Sequence, residues 1–280
     1  MKPSVFKLSL LGFASFAIVL TSCEKDQEID LDDSQSTLQL AKEHAEKIGY
    51  HPDDIEIGDF HYPDGTSNKR IFIEGDIALD EEQFFALRPI ESLSKHYSTT
   101  NLVTGNNRNI VIQGYTGNNS YGLSTKAQNG LTEAVANYNL LSSVSLNFTL
   151  IFGDDFAGPD IIVFDNSINV TTSGGRAGFP SDSGLPYKWV QIHNLENSST
   201  NVNEHVITHE IGHCVGLRHS DYFSRQSCNQ SAEAAAPSGA LYIPGTPTGW
   251  DSSSLMNACY PSNSDGEFND NDVIALQEIY

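Results

Sequence analysis

Residues 209–219 read His-Glu-Ile-Gly-His-Cys-Val-Gly-Leu-Arg-His. Two histidines four apart on a helix stand about 40° apart in projection, so His209 and His213 share one face while Glu210 leans toward the same side. Gly216 lets the chain leave the helix through a left-handed conformation, which brings His219 back as a third imidazole. Three nitrogen donors leave one corner of a tetrahedral Zn2+ open for water, the catalytic rather than the structural arrangement, with Glu210 as general base. By average residue frequencies the full string arises by chance in on the order of one chain in 100,000, which sets aside a solvated helix with incidental histidines. Ile207, Ile211 and Cys214 fall about 140° to 200° from His209, so this helix should turn an apolar side to a core and its ligands to a cleft.

Two neighbours compete with these assignments. His205 also precedes a histidine by four residues, but no Glu follows it, and it reads as structural. Asp221 is a carboxylate alternative to His219, which fits the spacing better. A thermolysin-type site would need a distant Glu as third ligand, and the nearby Gly216 and His219 disfavour it.

The 280 residues are 39% hydrophobic and 18% charged, the composition of a globular protein. A net charge of -21 argues against nucleic acid or an anionic membrane surface as an electrostatic partner. Lys2 and Lys7 precede a thirteen-residue apolar run from Leu8 to Leu20, too short to span a bilayer, so residues 1–22 read as an export signal. Residues 23–35 are acidic and read as a solvated tether. Export places Cys214, Cys228 and Cys259 in an oxidising compartment. Cys214 belongs to the core side of the metal helix, so Cys228 and Cys259 are the expected disulfide, worth about 3.5 kcal/mol in the chain-entropy account.

Residues 36–94 form a small N-terminal α+β segment: a helix over Leu38–Ile48 ending at Gly49, strands over Asp54–His61 and Lys69–Ile77, and a helix over Asp80–Leu87. Its role is either a pro-region or a packing subdomain. It lacks a cysteine, so a thiol plug for the metal is unavailable, and no single Asp stands out to replace one. Residues 95–280 read as the catalytic α+β domain. Strands are expected over Asn109–Tyr115, Ser145–Ile151, Pro159–Asn166 and Lys188–Asn194, with a helix over Lys126–Leu141 and a loop over 171–186. Residues 220–253 should be irregular, and Asp270–Tyr280 helical behind an Asn-Asp cap. Asp154–Asp155 and Asp265–Asp272 are weak Ca2+ candidates, since turns and caps account for them equally well.

The zinc string, the later Ser254-Leu255-Met256-Asn257 and the closing helix resemble the metzincin metallopeptidases over roughly residues 100–280. The segment from His209 to Asp221 is most similar to the dual-action HEIGH branch. The resemblance implies a mixed twisted sheet, a Met-turn at Met256 beneath the imidazoles, and an edge strand at Lys188–Asn194 that pairs an extended protein or peptide substrate. The position at which some metzincins carry a Tyr ligand is Ala258; Tyr260 and Tyr222 stay as candidates for steadying the oxyanion. Leu20-Thr21-Ser22-Cys23 resembles the lipobox of bacterial lipoproteins. This implies lipidation of Cys23 and a cell-envelope location, at the outer membrane or cell surface, with the membrane reached only through the anchor. The expected activity is that of a monomeric zinc endopeptidase. The rival is an envelope binding module with a vestigial metal site, against which the intact Glu210 speaks.

Overall fold

The computed structural model describes residues 28–88, 97–230, 241–247 and 249–280. The signal segment and Cys23 lie outside the described residues. No helix among those described is long and apolar enough to cross a membrane.

The first helix, α1 (Glu28–Ile48), begins ten residues before the expected Leu38 and takes in the latter part of the acidic stretch. Then β1 (Ile55–His61), β2 (Ser67–Ile73) and β3 (Ile77–Leu79) form an antiparallel sheet in the order β1-β2-β3, followed by α2 (Glu81–Ala86). The expected single strand over Lys69–Ile77 is therefore a hairpin. Ile73 pairs with Ile77 around a three-residue tip, where Glu74 (φ 57) and Gly75 (φ 95) both take left-handed backbone.

A two-residue strand, β4 (Tyr97–Ser98), precedes the principal sheet. That sheet holds β5 (Asn109–Tyr115), β6 (Asn147–Gly153), β7 (Ile161–Asp165), β8 (Gly174–Arg176) and β9 (Trp189–His193) in the order β6-β5-β7-β9-β8. β6, β5, β7 and β9 run parallel and β8 antiparallel, the mixed sheet expected of the α+β class. α3 (Thr125–Leu140) makes the crossover between the parallel β5 and β6.

Strand β7 explains the layering. Its Ile161 and Val163 belong to the core shared with α3 and α4 (Thr200–Cys214), whereas Ile162 and Phe164 pack against Phe60, Tyr62, Phe72 and Ala78 of the N-terminal sheet. Both faces of the sheet are covered, which is why β7 reads as a continuous apolar run. Residues 28–88 thus form one layer of the packed molecule.

One expectation is corrected here. Lys188–Asn194 is not the sheet edge: β9 lies between β7 and β8, and the edge is Gly174–Arg176, inside the stretch that reads as a loop. Three residues, two of them glycine, carry no alternation to reveal a strand. Beyond His219 the chain is largely irregular, with β10 (Leu241–Tyr242) pairing with β4, and α5 (Asp270–Ile279) closes the fold.

Candidate metal centre

Ser199 caps α4, its hydroxyl accepting from the Val202 amide at 3.2 Å. The far end closes in a complete Schellman turn: Leu217 N–H donates to Gly212 O at 2.9 Å, and Gly216 N–H to His213 O at 2.9 Å, with Gly216 at φ +101. This turn does more than end the helix. It presents the Leu217 carbonyl to His213 Nδ1 at 2.8 Å and sends the chain back so that His219, fully buried, faces the same point.

The three imidazoles are held alike. His209 Nδ1 contacts Leu255 O at 3.0 Å and His219 Nδ1 contacts Glu74 Oε2 at 2.7 Å. A carbonyl or carboxylate oxygen can only accept, so each Nδ1 bears a proton, which leaves each Nε2 as the nitrogen that can serve a metal once it has given up any proton of its own. His209 Nε2 and His219 Nε2 stand 3.3 Å apart. Two lone pairs cannot hydrogen-bond to each other, but nitrogens about 2.05 Å from a tetrahedral zinc lie about 3.3 Å apart. His213 Nε2 is buried with no hydrogen-bond partner. Ligand atoms of His209, His213, His219 and Asp76 all lie within 4.8 Å of one another.

Glu210 follows the first histidine and is 2% exposed, with Oε2 buried and unpartnered. Burial, then the nearby Asp76 charge, pushes its carboxyl well above the usual range. Glu210 and His209 line a cleft of about 670 Å³ bordered by Gly174 and Gly175 of β8, Val206 and Tyr260. His193, unremarked in the sequence, lines it too; its Nδ1 donates to Thr172 O at 2.6 Å, leaving a buried Nε2 as acceptor.

Met256 lies against the floor of the helix. A Cβ at Gly212 would stand 2.7 Å from Met256 Sδ, so the glycine between the two ligand histidines permits this close approach. The turn carrying Met256 is held from three sides. Asp272 of α5 accepts from Ser254 Oγ (2.7 Å) and Leu255 N (2.9 Å), and Ser220 N donates to Met256 O at 2.8 Å. Asp221, the alternative ligand, instead accepts from Ala258 N and Ser227 N and takes no part in the metal group. The expected Cys228–Cys259 disulfide ties the same two segments, and Cys214 is free and buried.

The remaining candidates separate cleanly. His205 packs its ring 5.0 Å from Tyr260, outside the metal group, and burial followed by His209 lowers it to about 3. Tyr260 reaches the cleft, its hydroxyl pushed up to about 12 by burial and then by Glu210. Tyr222 stacks edge-on with Tyr97 at 4.3 Å and lies under the Arg218 guanidinium, away from the cleft. Asp155 and Asp265 accept from amides two residues on, as turn formers do, and Asp272 belongs to the α5 capping box. Among the described residues these acidic stretches form no metal-type cluster.

Sequence reasoning missed the β2–β3 tip. Asp76 Oδ2 stands 2.8 Å from His219 Nε2 and 3.6 Å from His209 Nε2, and Glu74 holds the opposite nitrogen of His219. Burial would lower the His219 pKa, but Asp76 and Glu74 outweigh it and raise it to about 10 in the metal-free chain. The only hint was Glu74-Gly75-Asp76 between two apolar triplets, a hairpin signal that says nothing of where the hairpin points.

With this geometry in view, the family comparison is decisive: the dual-action HEIGH metallo-peptidase family matches residues 71–280. The chain belongs to that family. The matched stretch of this HEIGH metallo-peptidase begins within β2 and so includes Glu74 and Asp76 as well as the metal helix. No curated relative matches. Two solved structures of myroilysin are similar at 12% identity. One has a TM-score of 0.42 and covers 64% of this chain and 96% of that one. The other has a TM-score of 0.35 and covers 61% and 82%.

Proposed function

We propose that this metallopeptidase is a zinc-dependent endopeptidase of the metzincin type, with His209, His213 and His219 as ligands and Glu210 as general base. The observation that carries the reading is the set of three Nδ1-anchored imidazoles whose Nε2 atoms converge beside an unpartnered buried carboxylate. Three imidazole nitrogens with an open fourth position suit catalytic zinc, and Met256 under Gly212 supports a Met-turn. Bound zinc polarises a water and the scissile carbonyl.

Glu210 Oε2 is free to take a proton from the attacking water and to hand it to the leaving amine. Both transfers happen at one carboxylate, so no second acid is required. The edge strand β8 borders the cleft beside Glu210, where an extended peptide adds by main-chain hydrogen bonds largely independent of sequence. Tyr260 is the hydroxyl on hand for the developing oxyanion. In this reading the mature chain is held at the bacterial cell envelope by lipid on Cys23, a location that rests on the sequence alone.

The test is hydrolysis of unfolded casein by the zinc-loaded chain, stopped by a zinc chelator and restored by zinc. Glu210→Gln should keep the metal and lose rate on the order of 10²–10⁴-fold. Undiminished hydrolysis by that variant would refute the role given to Glu210.

A further inference from the structure

The segment that follows the Met256 turn is a wall with two sides. Cys259 and Tyr260 line the metal cleft, and they also line a second pocket of about 720 Å³. Nothing in the reaction proposed above uses that pocket. Its walls are held in place: the Cys228–Cys259 disulfide ties one, and in another the Trp250 Nε1–H donates to Asn257 Oδ1 at 3.1 Å.

The charge of the pocket is one-sided. Asp265 and Glu267 line it, and among the described residues no Lys or Arg does. Glu204, one residue before His205, feels the result. Burial above all, joined by the Glu267, Glu133 and Asp265 charges against the Asn137 hydrogen bond, pushes its carboxyl up to about 7. Aromatic rings supply much of the remaining surface. Trp250 is 40% exposed, and Tyr260 packs 5.0 Å from the His205 ring. His205 lines the pocket from α4; it is 7% exposed, and its buried Nε2 has no hydrogen-bond partner. A buried polar atom left unpaired is costly to a fold, and an N–H from a ligand relieves that cost.

Carboxylates without counter-cations, exposed aromatic surface and an unpaired imidazole nitrogen fit a cationic side chain that carries N–H donors. A guanidinium suits them best, since it stacks on aromatic rings and donates in several directions at once. An anionic group would meet only like charge.

We propose that this pocket is a second substrate subsite, which takes an arginine side chain of the peptide whose backbone lies in the metal cleft. The inference rests on the zinc-peptidase reading and adds a substrate class to it: peptides with an Arg a few residues from the scissile bond. Because Cys259 and Tyr260 line both cavities, a peptide that leaves the cleft across this wall enters the pocket directly.

The experiment uses otherwise identical unstructured peptides in which a single Arg is moved one position at a time. Each is paired with a twin that carries citrulline, the uncharged isostere, in its place. Hydrolysis is followed with the zinc-loaded wild type, and binding by calorimetry with the zinc-loaded Glu210→Gln chain. In one register the Arg peptide should exceed its citrulline twin roughly tenfold in kcat/KM and in affinity, the combined weight of a cation–π contact and an exposed ion pair. The advantage should shrink as salt rises from about 0.02 to about 0.5 M. It should vanish when Asp265→Asn and Glu267→Gln are combined, a variant that keeps the Oδ1 accepting from the residue 267 amide and should hydrolyse the citrulline peptides at the wild-type rate. Equal handling of Arg and citrulline peptides in every register would overturn the subsite. So would an Arg advantage that survives unchanged in the double variant. An Arg advantage in binding with no hydrolysis by any form would uphold the subsite while rejecting the peptidase reading. Hydrolysis of every peptide without an Arg advantage would do the reverse.

Discussion

Two segments reach the same point in this molecule by different means. The helix α4 and its Schellman turn deliver three imidazoles from inside the main core, where residues 202–220 are all buried. The β2–β3 tip delivers two carboxylates from a neighbouring layer, around a turn in which Glu74 and Gly75 take left-handed backbone, with the Asp76 side chain 16% exposed. A donor on the packed helix is fixed by the core around it, whereas one on the tip is fixed by three residues and their backbone bonds to the segment after β8. The contrast separates donors built into the main core from donors carried in by a neighbouring layer.

The tip itself divides the same way. Glu74 is 4% exposed and anchors His219 Nδ1, so it is a positioning residue that serves the helix-borne ligand set. Losing such an outer carboxylate typically costs 10–100-fold in metal affinity. Glu74→Gln should therefore weaken zinc binding by about that factor in a chelator competition, and Glu74→Asp should recover part of it. An unchanged dissociation constant in Glu74→Gln would erase the distinction between the two carboxylates.

A smaller effect probes the rigid side. Gly212→Ala places a methyl 2.7 Å from Met256 Sδ, and overpacking of this kind costs about 1–3 kcal/mol. Thermal melting should fall accordingly. A variant as stable as the wild type would mean that the Met256 turn yields easily, and the helix side would be less rigid than the comparison holds.

How much of this was legible in the sequence follows from the range of the interactions. His209, Glu210, His213, Gly216 and His219 form a local code within eleven residues, and the disulfide followed from the side of the helix on which Cys214 sits. Most strands and helices were readable for the same reason, since β7 and α3 declare themselves by apolar spacing. The edge strand was not, because Gly174-Gly175-Arg176 is defined by its neighbour β9 and not by its own pattern. Nor was the Asp76 contact: Asp76 is one of 36 acidic residues, and it reaches the site only because a hairpin meets a histidine 143 positions away. The partner against which the N-terminal segment packs was not legible for the same reason. The segment's Phe60 and Phe72 share a core with Ile162 and Phe164, a contact no local pattern announces.

The most direct test of the central claim is the zinc content of three purified chains. Wild type and Asp76→Ala should each carry about one zinc ion per chain, and His213→Ala should carry none, since the helix and its turn supply the defining ligands. Zinc retained at the wild-type level in His213→Ala would contradict the account.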